Sequence, residues 1–238
     1  MVQNDPGLYF PHPAYYCTED GLLAIGGDLS PQRLLLAYHF GIFPWYSEGY
    51  EILWWSPDPR CVLFPENLKI SKSMRNLIRK KAFTVTADLE FEKVITCCQK
   101  TNRPGQEGTW ITEDMIKAYC YLHHMGIAHS IEVWEEDQMV GGLYGLSLGK
   151  VFFGESMFSH ASNASKYGFI ALVQKLRSLK YAVIDCQQDT PHLKSLGAQL
   201  TPRTEFMQML KINRLRAENP GPWSSWQFTP VIRDPSTD

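Results

Sequence analysis

The sequence predicts an α+β fold built on a central mixed sheet. Three strand-like runs, HSIEVWEED, QMVGGLYGLSLG and KVFFGESMFS, follow one another from His129 to Ser159. A segment of helical period then leads into a buried strand and a short closing helix, which completes the order β-β-β-α-β-α. With 238 residues, 44% of them hydrophobic, the chain is long enough to bury a sizeable core.

Taken in order, DLSPQRLLLAYHFG carries Ser30 as N-cap, Pro31 at the first helical position and Gly41 as the stop, which predicts a helix over about 31–40. GIFPWYSEGYEILWWSPDPR is rich in aromatics and turn formers without a sustained period, so loop with short strands is expected, and a domain junction near residue 60. ENLKISKSMRNLIRKKAF reads as a helix with Ile70, Met74 and Leu77/Ile78 inward. Thr112, followed by Glu113 and Asp114 and ended by Gly126, bounds a helix with Ile116, Tyr119 and Leu122/His123 on one stripe. The acidic turn and the Leu-Gly-Lys turn between the three strand-like runs predict an antiparallel meander. NASKYGFIALVQKLRSLKY places apolar residues at 169, 172/173, 176 and 179, one helix face. YAVIDC is a buried strand, HLKSLGA a short helix, and the tail NPGPWSSWQFTP irregular. This order is the core pattern of an acyltransferase-like fold whose sheet splays open to admit substrate.

Lys plus Arg number 23 against 25 Asp plus Glu, a net charge of −2, so no global attraction to nucleic acid or membrane is expected. Any such attraction must be local. No run of about 18 apolar residues occurs, and MVQNDPGLYFPHP lacks a basic region followed by a hydrophobic one, which predicts a cytoplasmic protein. The six cysteines form no C-x-x-C pair, so neither a metal site nor a disulfide framework is expected.

Side chains alternate along a strand, so in VIDCQ Asp185 and Gln187 share one face and Cys186 the other. Cys186 reads as a small core residue, since a thiolate needs a base and only His192 is near in sequence. For Asp185 two readings stay open, a salt-bridged structural carboxylate or a functional group. Glu155 ends the apolar run KVFFG on the neighbouring strand, and two carboxylates with a carboxamide around one opening make a site-like arrangement. Tyr38, Trp45, Trp54, Trp55, Trp110, Tyr119 and Phe152 are either core or a platform for an unpaired base. Lys69, Lys72, Arg75, Arg79, Lys80 and Lys81 put six cations in thirteen residues, a solvated face or a phosphate contact.

With these pieces in place, the chain resembles the leucyl/phenylalanyl-tRNA–protein transferase family. The likeness runs from Gly21 to Ala198 through ten ordered blocks: GLLAIGGDLS, GIFPWY, LWWSPDPR, EGTWIT, HSIEVW, GGLYG, GESMFS, NASK, IDCQ and HLKSLGA. It implies a small N-terminal α/β domain, residues 1–60, and an acetyltransferase-like (GNAT-like) catalytic domain, residues 61–238. It implies transfer of Leu or Phe, and also Met, from aminoacyl-tRNA to proteins beginning with Arg or Lys, which marks them for N-end-rule degradation. The activated ester needs neither cofactor nor metal, and a monomer is expected.

By the same resemblance Asp185, Gln187 and Glu155 take part in peptide-bond formation. Leu143, Phe169, Leu172, Leu176 and Ile184 line the aminoacyl side-chain pocket, and Tyr38, Trp45, Trp110, Tyr119 and Phe152 surround the terminal adenosine. Lys72, Arg75, Arg79, Lys80 and Lys81 meet the tRNA backbone. Two rivals are weighed. An acyl-CoA N-acyltransferase needs a Gly-rich pyrophosphate turn that HASNASKYG lacks, and a non-catalytic RNA-binding module has no use for Asp185 and Gln187 on one face.

Overall fold

A computed structural model describes residues 7–101, 109–214 and 221–232. The expected stretch EGTWIT therefore begins outside the described residues, at Glu107 and Gly108, as do the first six residues of the chain and the start of the tail at Asn219 and Pro220.

The chain opens with a short helix α1 (Pro13–Tyr16), strand β1 (Leu22–Ile25), helix α2 (Pro31–His39) and strands β2 (Phe43–Pro44) and β3 (Leu53–Trp55). These strands make a three-stranded sheet of order β1-β3-β2. The sequence signals for α2 act as expected: Ser30 Oγ accepts from the Arg33 N–H and Pro31 takes the first turn.

From Arg60 onward the chain builds the main sheet. Its elements are β4 (Arg60–Leu63), a 3₁₀ turn (Pro65–Asn67), α3 (Lys72–Arg79), β5 (Thr84–Ala87), α4 (Phe91–Gln99) and α5 (Glu113–His124). The meander follows as β6 (Ala128–Glu135), β7 (Gln138–Leu148) and β8 (Val151–Ser159), then α6 (Ala164–Ser178) and β9 (Val183–Gln187). α7 (Pro191–Ser195), β10 (Gln199–Thr201) and α8 (Arg203–Asn213) close the fold.

The sheet has the order β10-β4-β9-β8-β7-β6-β5. Every pairing is antiparallel except β8 with β9, which run parallel because α6 carries the chain across between them. The fold is thus α+β on a mixed sheet, with β6, β7 and β8 as the expected antiparallel meander.

The two faces of the sheet bury different partners. One face packs against α2, α4, α5 and α8 through Leu34, Val94, Tyr119, Phe153 and Phe206. The other packs against α3 and α6 through Met74, Ile78, Phe169, Leu172 and Leu176. Alternation along each strand divides neighbours between the faces, so Phe153 goes to the first and Phe152 to the second. Burying one such side chain contributes about 1.5–3 kcal/mol.

The described tail is irregular, as expected, yet it is held. Trp223 stacks on His129 with ring centroids 4.0 Å apart, and its backbone N–H donates to Asp88 Oδ2 at 2.8 Å. Gln174 on α6 both donates to the Val231 carbonyl, at 2.6 Å, and accepts from the Val231 N–H, at 2.8 Å.

Candidate active site

The parallel pair that defines the sheet also opens it. β8 and β9 are in register only from Val151 opposite Val183 to Phe153 opposite Asp185. Beyond that point β8 continues to Ser159 against β7, while β9 ends at Gln187. A cavity of about 720 Å³ occupies the divergence, walled by Gly154–Ser159 on one side and Asp185–Gln188 on the other. Phe43, Pro44 and Trp45, from β2 and the residue after it, form part of its wall together with Trp110. Pockets of this size suit a small-molecule ligand.

A bulge in β8 puts Glu155 at this opening. Gly145 of β7 pairs with Gly154 and Tyr144 with Ser156, which leaves Glu155 as the extra residue. Such an extra residue re-aims its side chain out of the regular alternation. Gly145 permits the close approach, because a Cβ there would meet the Phe153 carbonyl oxygen at 2.2 Å.

The Glu155 carboxylate is only 9% exposed but fully engaged. Oε1 accepts from Tyr38 Oη at 2.8 Å and from Gln187 Nε2 at 3.0 Å, and Oε2 accepts from Tyr119 Oη at 3.2 Å. The two tyrosine hydroxyls also lie within hydrogen-bond distance of one another; two hydroxyl protons serve these three contacts in turn while the carboxylate is ionised, and the proton of the neutral carboxyl completes them. Burial pushes the Glu155 carboxyl up to about 7, with the tyrosine hydrogen bonds and Arg60 opposing and the Asp185 charge adding. Burial likewise drives both phenols well above their usual value, so they stay neutral donors.

A second irregularity sits across the opening. Cys61 of β4 pairs with Gln187 and Val62 with Asp185, so Cys186 is an extra residue in β9. Gln187 has φ 60°, a left-handed conformation that costs a non-glycine residue about 1–2 kcal/mol. Its N–H donates to Asp185 Oδ1 at 2.9 Å, which helps offset that cost. Because its NH2 is donated to Glu155, the Gln187 side-chain carbonyl is left as an acceptor beside the cavity.

Asp185 itself is 0% exposed. Arg60 grips it with two parallel bonds, Nε to Oδ1 at 2.8 Å and Nη2 to Oδ2 at 2.7 Å. Of the two readings left open by the sequence, the salt-bridged one describes this carboxylate, and it reaches the cavity through Gln187. Arg60 was not among the expected residues. A cation opening the apolar strand RCVL is a signal that a buried acid awaits it, since unpaired it would be costly.

Cys186 packs with Cys61, Leu63 and Ile184, and like Ile184 it borders the cavity. A hydrogen bond with the Cys61 thiol and burial push its thiol well above the usual range, the reverse of what a nucleophile requires. His192 lies on the cavity wall and no hydrogen bond to Cys186 is present among the described residues.

The structure divides the expected side-chain pocket. Leu143, Phe169 and Ile184 line the cavity, whereas Leu172 and Leu176, both 0% exposed, pack behind it in the α6 core. Those two positions share a helix face with Phe169, but the apolar face of a buried helix is wider than the cavity it borders. The aromatic set divides in the same way. Trp45, Trp110 and Phe152 line the cavity. Tyr38 and Tyr119 are 0% exposed, so neither offers a ring face for stacking; their hydroxyls serve Glu155 instead. Sequence spacing places large rings on helices but does not reveal which end of the ring matters.

Lys72, Arg79, Lys80 and Lys81 are exposed along α3 and the turn after it, and Arg75 is half-buried with Nε donating to the Ile70 carbonyl at 3.1 Å. No ion pair engages any of the five among the described residues. No cluster of three His, Cys, Asp or Glu that would hold a metal occurs among the described residues.

The family described as leucyl/phenylalanyl-tRNA protein transferase matches residues 62–211, and its N-terminal domain matches residues 27–58. A leucyl/phenylalanyl-tRNA–protein transferase of Christiangramia forsetii is 59% identical over 212 residues, 88% of this chain and 100% of that protein. One of Syntrophus aciditrophicus is 54% identical over 92% of this chain and 91% of its own, and one of Hydrogenovibrio crunogenus 50% identical over 99% and 93%. Among solved structures, a GCN5-related N-acetyltransferase from Kribbella flavida aligns at 8% identity with a TM-score of 0.33, over 72% of this chain and 61% of that one.

Proposed function

We propose that this chain, which belongs to the leucyl/phenylalanyl-tRNA protein transferase family, moves Leu or Phe, and also Met, from aminoacyl-tRNA to the α-amino group of proteins beginning with Arg or Lys. The product is marked for N-end-rule degradation, in the cytoplasm where charged tRNA is found. The observation that carries the reading is the Glu155–Gln187 pair, joined at 3.0 Å beside a cavity of about 720 Å³.

The donor is an ester, so attack by an amine is downhill and the chain has only to position and to handle one proton. The acceptor α-amino group has a pKa near 7.7–8.0 and arrives mostly as ammonium. Once one proton has been lost to Glu155, the Gln187 carbonyl accepts a hydrogen bond from the neutral amine and aims its lone pair at the ester carbon. Glu155, with a carboxyl near 7, takes up the surplus proton. The new C–N bond forms as the bond to the ribose oxygen breaks, and that oxygen leaves with the second proton given up by the attacking nitrogen. Asp185 does its part through the Gln187 N–H.

Leu143, Phe169 and Ile184 give the aminoacyl side chain an apolar lining, and one methylene in such a pocket is worth about 1–3 kcal/mol. Trp45, Trp110 and Phe152 supply flat apolar surface for the terminal adenosine. The cations of α3 bind phosphates regardless of sequence. Residues 1–60 act as a small N-terminal domain that contributes Phe43, Pro44 and Trp45 to the cavity.

The direct test mixes the purified protein with leucyl-tRNA and a peptide beginning with Arg. Mass spectrometry should find one leucyl residue added at the peptide N-terminus, and none on a peptide beginning with Ala. No addition to the Arg peptide would reject the reading.

A further inference from the structure

Arg60 stands at the meeting point of three parts of the molecule. It begins β4, its guanidinium lies 4.8 Å from the centre of the Phe43 ring on β2, and 5.1 Å from that of Phe206 on α8. Its fork holds both oxygens of Asp185 on β9, at 2.8 and 2.7 Å. The guanidinium is 1% exposed and the carboxylate 0%, and Arg60 is not among the residues that line the cavity. The two rings and the bidentate edge restrain the guanidinium, whose Nη1 is buried without a hydrogen-bond partner among the described residues.

That restraint is transmitted. Asp185 Oδ1, held by Arg60 Nε, is the same atom that accepts the Gln187 N–H at 2.9 Å. This bond holds Gln187 at φ 60°, from which its side chain reaches Glu155 at 3.0 Å across the divergent strands. Phe43 lines the cavity itself, so the ring that clamps one face of Arg60 is also a wall of the site.

From this chain of contacts we infer that Arg60 is a positioning residue for the transfer reaction: it locks Asp185 so that Asp185 locks the backbone of Gln187 in the one conformation that presents its carboxamide to the amine. This rests on the functional reading above. Lysine keeps the charge but gives one point of contact where arginine gives a planar fork, so it leaves Asp185 free to rotate. A misplacement of about 1 Å in a reacting group costs on the order of 10²-fold in rate.

The experiment is a double-mutant cycle on the full chain, with Arg60→Lys, Gln187→Ala and the pair, each checked for folding by thermal melting. Transfer of leucine to an Arg peptide is followed with kcat and the KM for leucyl-tRNA resolved. Arg60→Lys is expected to lower kcat by about tenfold to 10²-fold with KM within about twofold. In the Gln187→Ala background the same change should have almost no further effect, because the group it positions is gone. A kcat within about twofold of the parent, or a loss that multiplies fully in the double variant, would overturn the inference. If Gln187→Ala alone transfers at the parental rate, it is the reading of the site that fails and not the role of Arg60 within it. Should Arg60→Lys not fold, the cycle is run with the neutral pair Arg60→Gln/Asp185→Asn, which leaves no buried charge unpaired. The expected and overturning results are the same.

Discussion

Gln187 donates its side-chain amide to Glu155 at 3.0 Å across a gap where their two strands have ceased to pair. The contact joins two irregular positions, an extra residue in β8 and a left-handed residue in β9. Removing either side chain disconnects the walls of the cavity.

Gln187→Ala is therefore expected to reduce transfer by about 10²-fold while the affinity for leucyl-tRNA, measured by filter binding, stays within about twofold. Cys186→Ala should keep a rate within about threefold of the parent, since its thiol, although on the cavity wall, is kept protonated by burial and the Cys61 contact. An inactive but folded Cys186→Ala would reverse the assignment.

Glu155 makes stability depend on pH. Its carboxyl rises from the ordinary 4.5 to about 7 on folding, so between those values the folded chain holds a proton the unfolded chain has released. Stability should fall as pH climbs through that window and level off above it, by about 3 kcal/mol in all. Thermal melts from pH 4 to 8 should show the decline, and Glu155→Gln should flatten it.

Tyr38→Phe or Tyr119→Phe removes a donor that favours the ionised carboxylate. The midpoint of the pH–rate profile should move upward from near 7 in each variant. A profile left where it was would separate Glu155 from proton uptake.

Leu172 and Leu143 should part company. Leu172→Ala, deep in the α6 core, is expected to cost about 2–5 kcal/mol in denaturant titration with the order of preference among Leu, Phe and Met unchanged. Leu143→Ala, on the cavity wall, should shift that order toward the larger side chains, read from competing aminoacyl-tRNAs.

Charge reversal at Arg79 and Lys80 should weaken tRNA binding and lower the slope of log affinity against log salt by about 1–2, without changing kcat at saturation. An unaltered slope would take α3 out of the tRNA-binding face.

Much of this architecture was legible in the residues. Ser30 and Thr112 mark helix starts by chemistry that is local, and both side chains cap as expected. The meander announces itself through turn residues between apolar runs, and α6 through its period. What escaped was set by contacts distant in sequence. The bulge that re-aims Glu155 depends on the register of β7 against β8, which no single strand encodes. The Arg60–Asp185 pair spans 125 positions, so although each charge beside an apolar run signals a buried partner, neither says which residue that partner is. Tyr38 and Tyr119 were found as large rings on helix faces, yet their work is done by hydroxyls that converge only once α2 and α5 stand side by side. β5, α4, β10 and α8 carry weaker local signals and take their form from packing on the sheet.

The short stretch in which β8 and β9 run together has a last consequence. Two ribbons held at one end and drawn to different neighbours at the other form a notch whose width follows from the connectivity of the chain, so it exists before any aminoacyl group arrives.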